Sequence, residues 1–159
     1  MATPLAAVYT AFYDKIERDA AFFDMGATLE ESEKLAEMKS HTYMKEAISY
    51  WKRRHSMSVS LKFGEAEFEA DLTDDEIDLI AMIMVLMYYQ KVAVALKSKM
   101  HIFSSADIKA LYNFSPAQER STFLRQVESY KEEVDEAIDG YGARDRITNS
   151  RIPAGFGGL

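Results

Sequence analysis

The hydrophobic pattern is periodic along most of the chain and loses its period once. From Leu79 to Tyr89 every side chain is aliphatic, thioether or aromatic: Leu79, Ile80, Ala81, Met82, Ile83, Met84, Val85, Leu86, Met87, Tyr88, Tyr89. A helix that is apolar all round is buried on every side or lies in lipid. A span needs about 20 apolar residues, and here Gln90 and Lys91 interrupt the run sooner. The stretch is therefore read as the buried central helix of a helical domain. Its start is well marked. Thr73 is a good N-cap, Asp74, Asp75 and Glu76 suit the positive end of a helix dipole, and Glu76 completes a Thr-x-x-Glu capping box.

Four other stretches carry the three-to-four spacing of amphipathic helices. Thr3-Pro4 reads as an N-cap with proline at the first helical position. Leu5, Val8, Tyr9, Phe12 and Ile16 follow, predicting a helix that runs to about Phe23 and ends at Gly26. Thr28 with Glu31 forms a second capping box. The helix behind it places Leu35, Met38, His41, Met44, Ile48 and Trp51 on one face and stops near Lys52, Arg53 and Arg54. Later, Ser104 or Ser105 can cap a brief helix bearing Ile108, Leu111 and Tyr112. Ser115-Pro116 then opens a last helix with Phe123, Leu124, Val127, Tyr130, Val134 and Ile138, stopped by Gly140.

Between the second and central helices the period falls to two. Met57, Val59, Leu61 and Phe63 alternate with serines and Lys62. Beyond Gly64, Ala66, Phe68, Ala70 and Leu72 alternate with Glu65, Glu67, Glu69 and Asp71. This predicts a β-hairpin over about 57–72, which is marginal alone and must lie on the helices or pair with another chain. The predicted fold is mainly α: a helical bundle around one buried central helix (residues 1–140), with a small β-hairpin and an extended C-terminal arm (141–159).

The arm is set apart by composition. Five of the seven glycines fall at Gly140, Gly142, Gly155, Gly157 and Gly158, and three arginines face a single aspartate. Ile147, Ile152, Phe156 and Leu159 are spaced apolar residues, and Arg144, Arg146 and Arg151 can pair with carboxylates. These seven residues are expected to bind a partner, and deletion after Gly142 is expected to leave the helical body folded. Lys52, Arg53 and Arg54 suit the negative end of their own helix dipole. They are also candidates for contact between subunits.

Charge and chemistry narrow the function. A net charge of −7 argues against a general nucleic-acid binder, which carries a basic face. Without cysteine there is no disulfide frame, thiolate metal site or cysteine nucleophile. The residues from Met1 to Tyr13 lack the basic start of a secretory signal. His41, His55 and His101 are scattered, with no metal-binding spacing, and no nucleophile elbow or phosphate loop is present. No catalytic, cofactor-binding or metal-binding residue is expected, and no membrane association. The region near 105–125 can be drawn as a helix-turn-helix, which makes an acidic DNA-linked regulator the alternative reading.

The segment Ala70 to Tyr141 resembles small α-helical connector proteins at the head–tail junction of tailed bacteriophages. The similar parts are Leu72-Thr73-Asp74-Asp75-Glu76-Ile77 leading into the apolar helix with Tyr88-Tyr89, then Phe103-Ser104-Ser105-Ala106-Asp107, and Phe114-Ser115-Pro116-Ala117-Gln118 opening the last helix. The first two helices and the arm are not covered. The resemblance implies a non-enzymatic virion protein, assembled in the host cytoplasm as a homo-oligomeric ring between portal-like and tail-side proteins. It implies a terminus docked on a neighbour, with DNA passing nearby and no specific nucleic acid bound.

Overall fold

A computed structural model describes residues 1–16, 26–56, 59–99 and 116–152 and is mainly helical. Four helices are formed: α1 (Leu5–Lys15), α2 (Leu29–Arg54), α3 (Asp74–Lys99) and α4 (Pro116–Gly142). The other three pack against α3. Its capping box closes in both directions. Glu76 N–H donates to Thr73 Oγ1 at 3.3 Å, and Thr73 N–H donates to Glu76 Oε2 at 2.8 Å. From Leu79 to Tyr88 every side chain is buried except the half-buried Met82. By length and composition Asp74–Ala95 could cross a membrane. In this structure α1, α2 and α4 cover its apolar run. On the α4 side Tyr130 donates its hydroxyl to the Met82 carbonyl at 3.2 Å, and Tyr89 packs edge-on to Phe123 and Tyr130.

Leu5, Val8, Tyr9, Phe12 and Ile16 are buried as their spacing predicts. The start of α1 differs from the prediction. Pro4 is the N-cap and has no side-chain cap, because Thr3 is engaged elsewhere. A residue before proline is pushed out of the helical region, and extended Thr3 pairs instead with 66–72. Its Oγ1 accepts from Leu72 N–H at 2.8 Å, and its carbonyl accepts from Phe68 N–H at 2.8 Å. The helix ends at Lys15 with Ile16 as C-cap, without a glycine or proline to mark the stop. Lys15 Nζ pairs with Asp78 of α3 at 2.6 Å. The predicted continuation beyond residue 16 lies outside the described residues.

Thr28 caps α2 as expected, accepting from Glu31 N–H at 3.2 Å, while Glu31 reaches back to Ala27 N–H at 3.1 Å. The buried face is turned from the predicted one in the first half of the helix. Leu35 and Met38 are exposed, and Ala36, Ser40, Tyr43, Met44, Ala47, Ile48 and Trp51 are buried. Small residues at 36 and 40 let α2 approach α1, where Ser40 Oγ sits 3.1 Å from the Tyr13 hydroxyl. His41 is half-buried, with Tyr9 Oη 2.9 Å from its Nδ1 and Phe63 edge-on to its ring.

In the segment of period two, Leu61, Phe68 and Leu72 are buried, while Ser60, Lys62, Glu65, Glu67, Glu69 and Asp71 are exposed. The chain reverses at Gly64, whose N–H donates to the Glu67 carbonyl at 2.8 Å, and one antiparallel bridge joins Phe63 to Phe68. Among the described residues no strand is formed. Residues 66–70 also bond to Thr3 and Leu5, bridging Pro4 to Glu67, so the segment holds the chain start against the bundle.

α4 buries Val127, Val134 and Ile138 and runs past the predicted stop at Gly140 to Gly142. The extra residues are held by tertiary contacts. Tyr141 packs edge-on to Trp51 at 5.1 Å between centroids. At Gly142 an added Cβ would come within 2.8 Å of the His55 ring, so the helix end lies directly on that imidazole. The brief helix expected around Ile108, and the helix-turn-helix reading up to residue 115, lie outside the described residues.

Candidate functional site

The chain after α4 does not leave the body at once. Residues 143–152 form a tight turn organised by Asp145, whose Oδ1 accepts from the N–H groups of Ile147 (3.0 Å) and Thr148 (2.8 Å) and from the Thr148 hydroxyl (3.0 Å). Bonds from the Thr148 backbone and hydroxyl, then from the Ile147 N–H, hold the Asp145 carboxyl below the usual carboxylate range. Asn149 takes φ 56°, a left-handed conformation that asparagine tolerates. The turn closes where Ile152 N–H donates to the Ala143 carbonyl at 2.9 Å and Arg144 bridges to Arg151.

One side chain of this turn reaches the core. The Arg146 guanidinium forks onto Glu76, Nε to Oε1 and Nη2 to Oε2, and Nη2 also donates to the Asp71 carbonyl. Tyr141 donates its hydroxyl to Glu76 Oε1 at 2.6 Å. The carboxylate has no exposed surface and takes donors from its own N-cap, from the end of α4 and from the turn. Burial alone would raise its pKa. The hydrogen bonds of Arg146, Tyr141 and the Thr73 N–H together pull it below the ordinary range. Beside this clamp lies a cavity of about 350 Å³ with Leu79, Met82 and Ala137 among its walls and Asp75, Asp78 and Arg144 at its edge.

The residues predicted to bind a partner therefore divide. Arg146 is engaged inside the chain, on Glu76. Arg144, Ile147, Arg151 and Ile152 are exposed, Ile147 at 87 % and Ile152 at 49 %. Phe156 and Leu159 lie outside the described residues. Tyr141 and Gly142, placed in the arm by composition, belong to α4.

The basic cluster at the end of α2 also divides. Arg54 forks onto Asp139 of α4, Nε to Oδ1 at 3.2 Å and Nη2 to Oδ2 at 2.9 Å, with Asp135 3.5 Å from Nη1. Tyr50 donates its hydroxyl to Asp135, and burial and that carboxylate push its pKa up to about 12. These contacts fasten α2 to α4. Lys52 and Arg53 remain exposed. Lys52 joins Lys45, Ser49 and Lys62 around an open groove of about 520 Å³ floored by Ile48, Leu61 and Phe63.

Sequence reasoning missed Glu76 as a tertiary anchor, because a capping box accounts for a first-turn glutamate without any partner. It also missed Lys45 and Lys62 as neighbours of Lys52. The seven-residue spacing of Lys45 and Lys52 on one helix face was the available signal. Among the described residues no group of three or more His, Cys, Asp or Glu is placed to hold a metal ion. The arrangement has the means to hold a chain segment and to present charge. Compared with family models, with curated proteins and with solved structures, the chain matches none.

Proposed function

We propose that this chain is a non-enzymatic structural assembly subunit, a ring-forming head-to-tail connector of a tailed bacteriophage. It docks on a portal-like partner through the chain that follows the C-terminal turn. The observation that carries this reading is the clamped base of that segment. With Arg146 forked onto the buried Glu76, the chain beyond Ile152 starts from a fixed point on a rigid bundle. A docking segment with one end fixed loses less freedom on binding than a free one. Exposed Ile147 and Ile152 beside exposed Arg144 and Arg151 offer apolar and cationic contacts at the point of exit. The capped start of α3 is also one of the parts of the chain that resemble connector proteins.

Light scattering with negative-stain imaging of the full chain tests the proposal. Closed rings of many copies are the expected outcome. A monomer at every concentration, or a dimer that shifts one specific duplex, would overturn it, the dimer in favour of the DNA-linked regulator.

A further inference from the structure

α2 has two flanks beside its buried face. One carries Tyr50 and Arg54 and meets α4. The other carries Lys45, Ser49 and Lys52, stacked on successive turns, and with Leu61, Lys62 and Phe63 it walls the open groove. Glu69 also lines it, the one acidic side chain to do so among the described residues. Among the described residues none of Lys45, Lys52 and Lys62 takes part in an ion pair. This cationic groove belongs to a chain of net charge −7.

α4 carries the matching charge elsewhere on the molecule. Glu128, Glu132 and Glu136 follow one another at four-residue spacing. They are exposed, running from the flank of the buried Val127, Val134 and Ile138 round to the outer side of the helix, and are likewise without an ion pair among the described residues. Lys45 and Lys52 are separated by about 10 Å along their helix and Glu128 and Glu136 by about 12 Å, from the rise of 1.5 Å per residue. The stripes are of similar length and opposite sign. α4 meets the Tyr50–Arg54 flank of α2, and among the described residues no ion pair joins the lysines of the groove to the acidic stripe within one copy.

We infer that the groove formed by Lys45, Lys52 and Lys62 receives the Glu128–Glu132–Glu136 stripe of a second copy of this chain. The two surfaces differ, so the contact is head-to-tail and leaves one copy with its stripe free and the other with its groove free for further copies. Such contacts close into rings or run on as filaments. The inference rests on the ring reading above and names the surfaces that would build it. It also separates Lys52, which faces the next copy, from Arg54, which fastens α2 to α4 within the chain.

A charge-swap experiment on the full chain tests the contact. Two variants are made, Lys45→Glu with Lys52→Glu, and Glu132→Lys with Glu136→Lys. All four positions are exposed, and both variants are expected to melt as the wild type does. Each alone is expected to lose association in light scattering at concentrations where the wild type assembles. Mixing the two in equal amounts restores it, since each variant then offers the partner its counterpart needs. If either variant assembles as the wild type does, or the mixture stays apart, the assigned surfaces are wrong while the ring reading stands. If the wild type never associates, the ring reading itself falls and this inference with it. Should the lysine variant assemble normally but lose retention of duplex DNA, the groove serves phosphate and the inference is overturned.

Discussion

A carboxylate with no exposed surface is tolerable only when its oxygens are all engaged, and Glu76 meets that condition through donors from three parts of the chain. Removing one partner of a buried pair costs about 3–5 kcal/mol. The Arg146 side chain is 25 % exposed, so the pair is partly solvated and Arg146→Ala is expected to cost less, about 2–3 kcal/mol in denaturant unfolding. Arg146→Lys should recover only part of this, because an ammonium cannot make the fork. Glu76→Gln keeps the capping geometry and leaves its unpaired charge on Arg146, which can turn to solvent, so it should cost less than Arg146→Ala. The pair also predicts an acid dependence. The Glu76 carboxyl titrates below the ordinary range in the folded chain. Its contribution is therefore complete above the unfolded value of about 4.3 and is lost as pH falls through the lower folded value. Between those values wild-type stability should drop more steeply than that of Glu76→Gln. Parallel curves for the two proteins would remove Glu76 from the acid transition.

At the scale of the element, α3 is the helix whose pattern left least to decide. Ile80 and Ile83 have no exposed surface, and an unpaired carboxylate at either costs several kcal/mol, comparable with the whole stability of a domain. Ile80→Asp and Ile83→Asp are each expected to abolish soluble folding, measured as loss of a cooperative melt. A soluble, cooperatively melting variant at both sites would mean that this face is not core. The central helix, its capping box and the buried positions of α1 were legible because each followed from local chemistry: an uninterrupted apolar run, a Thr-x-x-Glu start, three-to-four spacing. What was illegible was set by contacts distant in sequence. Leu35 and Met38 look like core by spacing, yet Ala36 and Ser40 are the residues small enough to meet α1. Thr3 looks like a helix cap, yet its hydroxyl serves Leu72 N–H. Gly140 looks like a stop, yet Tyr141 continues the helix because Trp51 and Glu76 hold it.

For the whole molecule the same reasoning moves the boundary between body and arm. Composition placed it near residue 141, where glycine and arginine begin to accumulate. The hydrogen bonds place the turn of 143–152 with the body, because Arg146 is the third donor to Glu76. A chain cut after Gly142 keeps Tyr141 and the capping box but leaves the buried carboxylate without the Arg146 guanidinium. It should therefore unfold about 2–3 kcal/mol more easily than the full chain, a fall in melting temperature of roughly 5–10 °C for a domain of this size. A chain cut after Ile152 keeps the guanidinium, the Asp145 turn and the closing bond from Ile152 to Ala143. Its melting temperature is expected to match that of the full chain. This second truncation is thus the one that tests docking, since it removes Phe156 and Leu159 and keeps the turn contacts of 143–152. If the chain ending at Ile152 melts normally and fails to join the assembly, residues 153–159 are the anchor. If it joins as well as the full chain does, the docking contact lies on the exposed Arg144, Ile147 and Arg151 of the turn, and Ile147→Asp in that shortened chain should then release it.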